Sequence, residues 1–169
     1  MLGLMQTQPL LISSLLEHAA RHHADTEVVS KTVEGPVHRY TYADLDKRTR
    51  KLANALTKLG VKPGDRVATL AWNGYRHLEL YYGVSCMGAV LHTINPRLFP
   101  DQIVWIAGHA EDSVVFFDLT FLPLLESLAP QLKSVKKFVL MTDHAHMPAA
   151  SKIDGLLCYE DLLPRERQV

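Results

Sequence analysis

Five polar positions that follow short apolar runs are where this chain could do chemistry: Trp72, Asn73, Asn95, Asp118 and Asp143. In an open parallel sheet, ligands lie beyond the carboxyl ends of the strands, so these side chains are the ones a ligand would meet. Arg97, just after Asn95 and Pro96, is the best anion-binding candidate. Each has a plainer reading as well. Trp72 can be packing, Asn73 the cap of the helix it precedes, and Arg97 an exposed or ion-paired side chain. Trp72, Asn73, Asn95 and Arg97 together form a candidate cleft wall.

Other reactive residue types give weaker signals. His18 and His22 have helical spacing, but no third ligand lies near them, and zinc needs at least three protein ligands. They read as surface histidines. Asp143-His144-Ala145-His146 reads as a flexible surface turn ahead of a metal pair. Cys86 and Cys158 are too few and too far apart for a disulfide framework, and read as isolated thiols of an intracellular protein. Lys47, Arg48, Arg50 and Lys51 crowd one segment; a solvated face is the first reading, and a phosphate or lipid-headgroup patch the second. The chain has no Gly-x-x-x-x-Gly-Lys-Ser/Thr loop, no Gly-x-Gly-x-x-Gly, no Gly-x-Ser-x-Gly elbow, no Cys-x-x-Cys and no His-Glu-x-x-His. No catalytic, cofactor-binding or metal-ligating residue is therefore assigned.

Four apolar runs must position the strand-end residues, near 67–71, 89–94, 114–117 and 138–141. They alternate with helical segments near Tyr75–Met87, Ile103–His109 and Phe121–Leu128. Strands so far apart cannot form hairpins, and crossover helices imply parallel pairing. The fold class is α/β, a mostly parallel sheet with crossover helices. The runs are nearly all apolar, which predicts strands buried on both faces.

Ahead of this unit, Pro9 suits the first turn of a helix running to about His23, with Leu11, Ile12, Leu15 and Leu16 as its apolar face. Glu17 and Arg21 are spaced to pair on its polar side. Val28-Val29 and Val37–Tyr40 flank Glu34-Gly35-Pro36 and read as a hairpin or edge strands. Thr41 and Asp44 suit a capping box for a helix that Gly60 ends. Its buried stripe is Leu45, Leu52, Leu56 and Leu59. Tyr159–Leu163 reads as a short last helix.

The chain has 169 residues, 47% hydrophobic, with 18 basic against 18 acidic side chains. The composition is that of a globular domain, and the charge balance gives no general attraction for nucleic acid. The start, Met1–Met5, has no basic region, so a secretory signal is not expected. Leu78–Ile94 is the most apolar stretch but holds Glu79 and His92, and falls short of the ~20 residues of a spanning helix. The expectation is a cytoplasmic protein without a transmembrane segment, with loose membrane contact left open.

Leu59-Gly60-Val61-Lys62-Pro63-Gly64-Asp65-Arg66-Val67-Ala68-Thr69-Leu70 resembles the helix end, turn and strand near the amino end of adenylate-forming, AMP-binding enzymes. His38–Leu45 is similar to their early Tyr-Thr-Tyr helix start. Gly88–Leu98, His109–Asp112 and Phe138–Asp143 resemble the fatty acyl-CoA synthetase branch, of medium- to long-chain type. The resemblance covers residues 9–163 and implies a partial AMP-binding domain there; residues 1–8 read as an extended arm and 164–169 as a charged tail.

By that resemblance the complete enzyme is a fatty acid–CoA ligase. ATP and the fatty acid give acyl-adenylate and pyrophosphate; coenzyme A then displaces AMP, and Mg2+ offsets phosphate charge. The family's Ser/Thr/Gly-rich phosphate loop, Thr-Glu magnesium pair, ribose-binding aspartate and carboxyl-terminal lysine match no position here. The chain reads as truncated before the phosphate loop, inactive alone, with no cofactor of its own. Some members of the branch dimerise through the amino-terminal arm and first helix, which implies a homodimer with Leu11, Leu15 and Glu17 on the dimer arm. The alternative is a stand-alone module that pairs with a full-length synthetase, or holds nucleotide or acyl ligand without turnover. A flavodoxin-like regulator fits the strand–helix rhythm, but Trp72-Asn73 stand where its acidic cluster belongs.

Overall fold

Strands β3 (Arg66–Leu70), β4 (Val90–Thr93), β5 (Val114–Phe117), β6 (Lys137–Leu140) and β7 (Leu157–Cys158) form one sheet in the order β4-β3-β5-β6-β7, every pair parallel. The computed structural model describes residues 3–163. The first two residues of the expected arm and the whole of the expected tail lie outside the described residues. Helices α2 (Tyr42–Lys58), α3 (Tyr75–Cys86), α4 (Pro100–Ala110) and α5 (Leu122–Leu128) connect and cover the strands.

The pleat sorts the strand side chains into two cores. Val67, Val114, Phe116 and Val139 pack with Leu52 and Leu56 of α2 and Leu80 and Val84 of α3. Ala68, Leu70, Val115, Phe117 and Leu140 face the other way, against Ile103 and Ala107 of α4 and Leu125 and Leu128 of α5. Expected burial on both faces holds for β3 and β5 but not for β4. Among the described residues β3 is its only strand partner, and Val90 and Thr93 are exposed. Strand β7 is the shortest of the five; only Leu157 and Cys158, pairing with Val139 and Leu140, make it.

Helix α2 starts and stops as its residues predict. The Asp44 N–H donates to Thr41 Oγ1 at 3.3 Å, and the Thr41 N–H to Asp44 Oδ2 at 3.1 Å. Past its end, Gly60 takes φ 90°, which side chains with a Cβ resist. Helix α3 lies close against α2 because Gly83 has no side chain; a Cβ there would stand 2.9 Å from Leu52 Cδ2.

Before α2, strands β1 (Glu27–Lys31) and β2 (Val37–Thr41) form the expected hairpin, antiparallel from Glu27–Thr41 to Lys31–Val37. Helix α1 (Ile12–His22) differs from its expected form. It begins at Ile12, with Pro9 outside it and Leu11 extended at the cap. Of its apolar face only Leu16 is buried, while Leu11, Ile12 and Leu15 are 59%, 55% and 62% exposed. The last helix, α6 (Tyr159–Leu162), follows β7 directly. Among the described residues no helix is long and apolar enough to cross a membrane.

Candidate functional site

Chain segments leave β3, β5 and β6 at one end of the sheet, and there two of the expected strand-end residues, Trp72 and Asp118, meet. The Trp72 backbone N–H donates to Asp118 Oδ2 at 2.6 Å. Asp118 is 7% exposed, and burial pushes its carboxyl up to about 6 although the Trp72 N–H pulls the other way. The Trp72 ring rests on Phe121, centroids 5.2 Å apart, and stays partly open to solvent. Asn73 does not cap α3; the extended residue before the helix is Gly74, and no side chain caps it. Trp72, Asn73, Gly74, Arg76, Asp118 and residues 31–33 of the hairpin line a shallow pocket.

Asn95 and Arg97 stand apart from this group, beyond the end of edge strand β4. Asn95 Oδ1 accepts the Arg97 N–H at 3.0 Å, an Asx turn that redirects the chain after the strand. Both side chains are exposed. At the β6 end, Asp143 Oδ1 accepts from the His146 N–H at 3.1 Å, and His144 Nδ1 lies 3.0 Å from Asp161. Among the described residues no group of three or more His, Cys, Asp or Glu side chains could hold a metal.

One pair has the geometry of a nucleophile and its base. His77 Nδ1 lies 3.2 Å from the Trp72 carbonyl, so that nitrogen carries the proton, and Nε2, 3.0 Å from Thr69 Oγ1, accepts from the hydroxyl. Thr69 is 1% exposed, however, and burial lowers the His77 pKa. With no route for substrate to the hydroxyl, the pair fastens α3 to β3.

The largest feature at this end is an ionic network with few sequence signals. Arg48, expected on a solvated basic face, turns inward: Nε donates to Glu79 Oε1 at 2.7 Å and Nη2 to Glu160 Oε2 at 2.9 Å. Arg76 donates from Nε to Glu160 Oε1 at 2.8 Å, and from Nη1 to Glu34 Oε1 at 2.7 Å and the Met141 carbonyl at 3.1 Å. The Tyr75 hydroxyl donates to Glu160 at 2.9 Å, Tyr159 to Glu79 at 2.7 Å, and Thr142 to Glu34 at 2.9 Å. The Arg76 guanidinium also lies 4.7 Å from the Tyr75 ring centroid, which His38 stacks on at 3.7 Å.

Burial works against the charge on each carboxylate, with different outcomes. Glu160 and Glu34 end below their ordinary range, because Arg48 and Arg76 outweigh burial at the first, and backbone and Arg76 contacts do so at the second. Glu79 stays raised, since burial there exceeds what Arg48 returns. Two guanidinium groups thus serve three carboxylates. The only trace in the sequence was Glu79 within an apolar stretch. Its partners are too remote for spacing to reveal, Arg48 lying 31 positions away and Glu160 112 from Arg48.

A second buried pair joins β4 to the turn after α4. His92 Nδ1 lies 2.8 Å and 2.9 Å from the two Asp112 oxygens, and burial raises the Asp112 pKa. The cysteines are free, Cys86 exposed and Cys158 buried. Leu15 and Glu17 on α1, and Leu11 at its cap, lie on the exposed surface.

The family model for AMP-binding enzymes matches residues 16–162. Over 163 residues the chain is 53% identical to the 3-methylmercaptopropionyl-CoA ligase of Ruegeria lacuscaerulensis, covering 96% of this chain and 30% of the relative. It is 52% identical to the medium-chain-fatty-acid–CoA ligase of Ectopseudomonas oleovorans, with the same coverage. A solved structure from Rhodopseudomonas palustris, assigned to the long-chain-fatty-acid CoA ligases without an established activity, superposes with TM-score 0.75 at 26% identity, over 95% of this chain and 38% of that one. The chain spans 30% of the length of these curated relatives.

Proposed function

Since the chain belongs to the AMP-binding enzyme family, we propose that it is the amino-terminal part of a fatty acid–CoA ligase. The longer protein joins a fatty acid to coenzyme A at the expense of ATP, through an acyl-adenylate, releasing pyrophosphate and AMP. The observation that carries this reading is the family match over residues 16–162, joined to identities of 53% and 52% with two acyl-CoA ligases.

Among the described residues no group of three or more His, Cys, Asp or Glu side chains could hold a metal ion. The guanidinium groups of Arg48 and Arg76 are taken up by Glu34, Glu79 and Glu160. Arg97 is exposed and lies beyond the edge strand. With the Arg48 and Arg76 guanidinium groups held in ion pairs, the reading assigns stabilisation of charge growing on a phosphorus to the rest of the enzyme. Its part in the reaction is to supply sheet, helices and one wall of the cleft, with Trp72, Asn73, Asn95 and Arg97 at the strand ends. ATP, coenzyme A and Mg2+ belong to the complete enzyme. The same proposal includes a cytoplasmic location and a homodimer through the arm, where Leu11 and Leu15 present an uncovered apolar stripe beside Glu17.

The test is the mass of the endogenous polypeptide followed by its assay. An antibody against residues 1–169 should detect a product roughly three times the 19.0 kDa of this chain. That product should release pyrophosphate only when ATP and a fatty acid are both supplied, and form acyl-CoA when coenzyme A is added. A 19.0 kDa product, or a long product without fatty-acid-dependent pyrophosphate release, would sink the proposal.

A further inference from the structure

The β1–β2 hairpin stands outside the main sheet as a separate pair of strands. Its base is fixed. Tyr40 is buried with Leu16, Leu45 and Tyr75, and the Tyr42 N–H donates to the Thr26 carbonyl at 3.1 Å. Further along, Lys31, Thr32 and Val33 form one wall of the strand-end pocket, facing Trp72, Asn73 and Asp118. The pocket has a volume of about 30 Å3, room for a water molecule or so. A larger guest needs its walls to part.

Beyond its base the hairpin is anchored by Glu34 and His38. Glu34, in the turn, accepts from Arg76 Nη1 at 2.7 Å and from Thr142 Oγ1 at 2.9 Å. His38, on β2, lies flat on the Tyr75 ring, centroids 3.7 Å and planes 15° apart, with Tyr40 edge-on at 4.9 Å. Glu34 is thus a charged anchor and His38 an uncharged one. His38 Nε2 is buried and has no hydrogen-bond partner. Protonation makes both ring nitrogens donors, and Nε2 would then be a buried, charged donor without an acceptor.

The surroundings add to that penalty. Two guanidinium groups share the Tyr75 ring with His38, Arg76 at 4.7 Å from its centroid and Arg48 at 5.6 Å. Two carboxylates favour the charged ring, Glu160 of α6 and Asp44 of α2. Glu160 is already taken by Arg48, Arg76 and Tyr75, however, and Asp44 by the Thr41 cap. Burial raises the Tyr40 and Tyr75 hydroxyls, so both stay neutral. Opposite His38 on β1 stands Ser30, which carries no charge. Burial first, then Arg48, lowers the His38 pKa from its ordinary 6.5.

We propose that the β1–β2 hairpin is a strap on the strand-end pocket, latched by Glu34 and His38, and that acid releases it through His38. With the ring neutral the strap is closed. Because the folded state lowers the pKa, this latch is at full strength above about pH 6.5 and weakens as pH falls below that value. Glu34 ends below its ordinary range, since backbone and Arg76 contacts outweigh burial, and it keeps its charge over the same interval. One latch therefore opens while the other holds. Nothing in the strap depends on which reaction the longer protein performs.

The experiment is hydrogen exchange read by mass spectrometry on the full-length protein, as protection factors at about pH 7.5 and about pH 5.5. A detached two-stranded hairpin is marginal in water, so its amides report release. Protection in peptides covering residues 27–41 should fall about five- to tenfold at the lower pH, since a site that refuses its proton loses up to about tenfold per pH unit below 6.5. Peptides covering β5 should keep theirs. His38→Phe keeps a ring on Tyr75 and His38→Gln a neutral polar group; neither takes up a proton, and both should show no fall. Asp118 and His77 are present in all three proteins and drop out of the comparison. Either variant is sufficient if the other does not fold. Unchanged wild-type protection would overturn the proposal. So would a fall of equal size in a folded variant, or a matching loss in β5.

Discussion

The backbone N–H of Trp72 and the carboxylate of Asp118, 2.6 Å apart, join the ends of β3 and β5, the two strands between which the sheet reverses its order of growth. From β3 the chain steps out to β4 on one side; from β5 it proceeds through β6 to β7 on the other. The crevice at such a reversal is where open sheets receive ligands, yet here a buried carboxylate spans it.

That carboxylate should make stability depend on pH. Asp118 titrates near 6 when folded, against an ordinary 3.8, so the folded state binds its proton more tightly than the unfolded chain. Its stabilising contribution is full below about pH 4 and lost as pH rises through about 6. Asp118→Asn keeps an acceptor for the Trp72 N–H and removes the ionisation. Urea unfolding should show the variant gaining on wild type by about 2–3 kcal/mol at pH 7.5, and no gain at pH 4. A constant difference at all pH values would contradict this.

Arginines in neighbouring turns of α2 and α3 should differ sharply in value. Arg76→Ala leaves Glu34 and half of Glu160 uncompensated in the interior, at a cost of about 3–5 kcal/mol. Arg50→Ala breaks only an exposed pair with Asp46, worth about 0.3–0.5 kcal/mol. Denaturant midpoints of the two variants would check the contrast, and equal losses would refute it.

Two helical glycines should respond oppositely to alanine. At Gly83 a methyl would meet buried Leu52 at 2.9 Å and push α3 off α2, costing about 1–3 kcal/mol. At Gly108 nothing lies within 4 Å, and alanine should raise stability by about 0.5–1 kcal/mol. Thermal melts of the two single variants are sufficient; destabilisation at Gly108 would count against the account.

The proposed dimer arm makes a prediction about assembly. Leu11→Asp combined with Leu15→Asp in the full-length protein should shift light scattering from dimer to monomer, because the replaced side chains are exposed within one subunit. The melting midpoint of the monomer should be little changed. Dimers that survive both substitutions would place the interface elsewhere.

Parts of the molecule governed by neighbouring residues were legible in the sequence. Thr41 with Asp44, Gly60 after α2, the hairpin around Glu34-Gly35-Pro36 and four of the five sheet strands all follow from short-range rules. Strand β7 escaped because its apolar run, Leu156–Tyr159, is divided between a two-residue strand and the start of α6. Arg48 stands among Lys47, Arg50 and Lys51, a cluster that looks like a solvated face, whereas its partners, Glu79 and Glu160, belong to other helices. Asn73 was displaced as a cap by Gly74 for want of one residue in the register of α3. At the site, composition located the strand ends but not which of them would touch: Trp72 reaches Asp118, while Asn95 and Arg97 turn on each other.

The ionic network also bears on how the protein is made. During synthesis Glu34, Arg48, Arg76 and Glu79 leave the ribosome before Glu160, at roughly 5–20 residues per second. Until then two guanidinium groups face two carboxylates, a balanced set that lets the hairpin, α2 and α3 associate without stranding a charge. The arrival of Glu160 adds the surplus carboxylate together with α6. The complete set of contacts can form only once Glu160, 112 positions after Arg48, has left the ribosome.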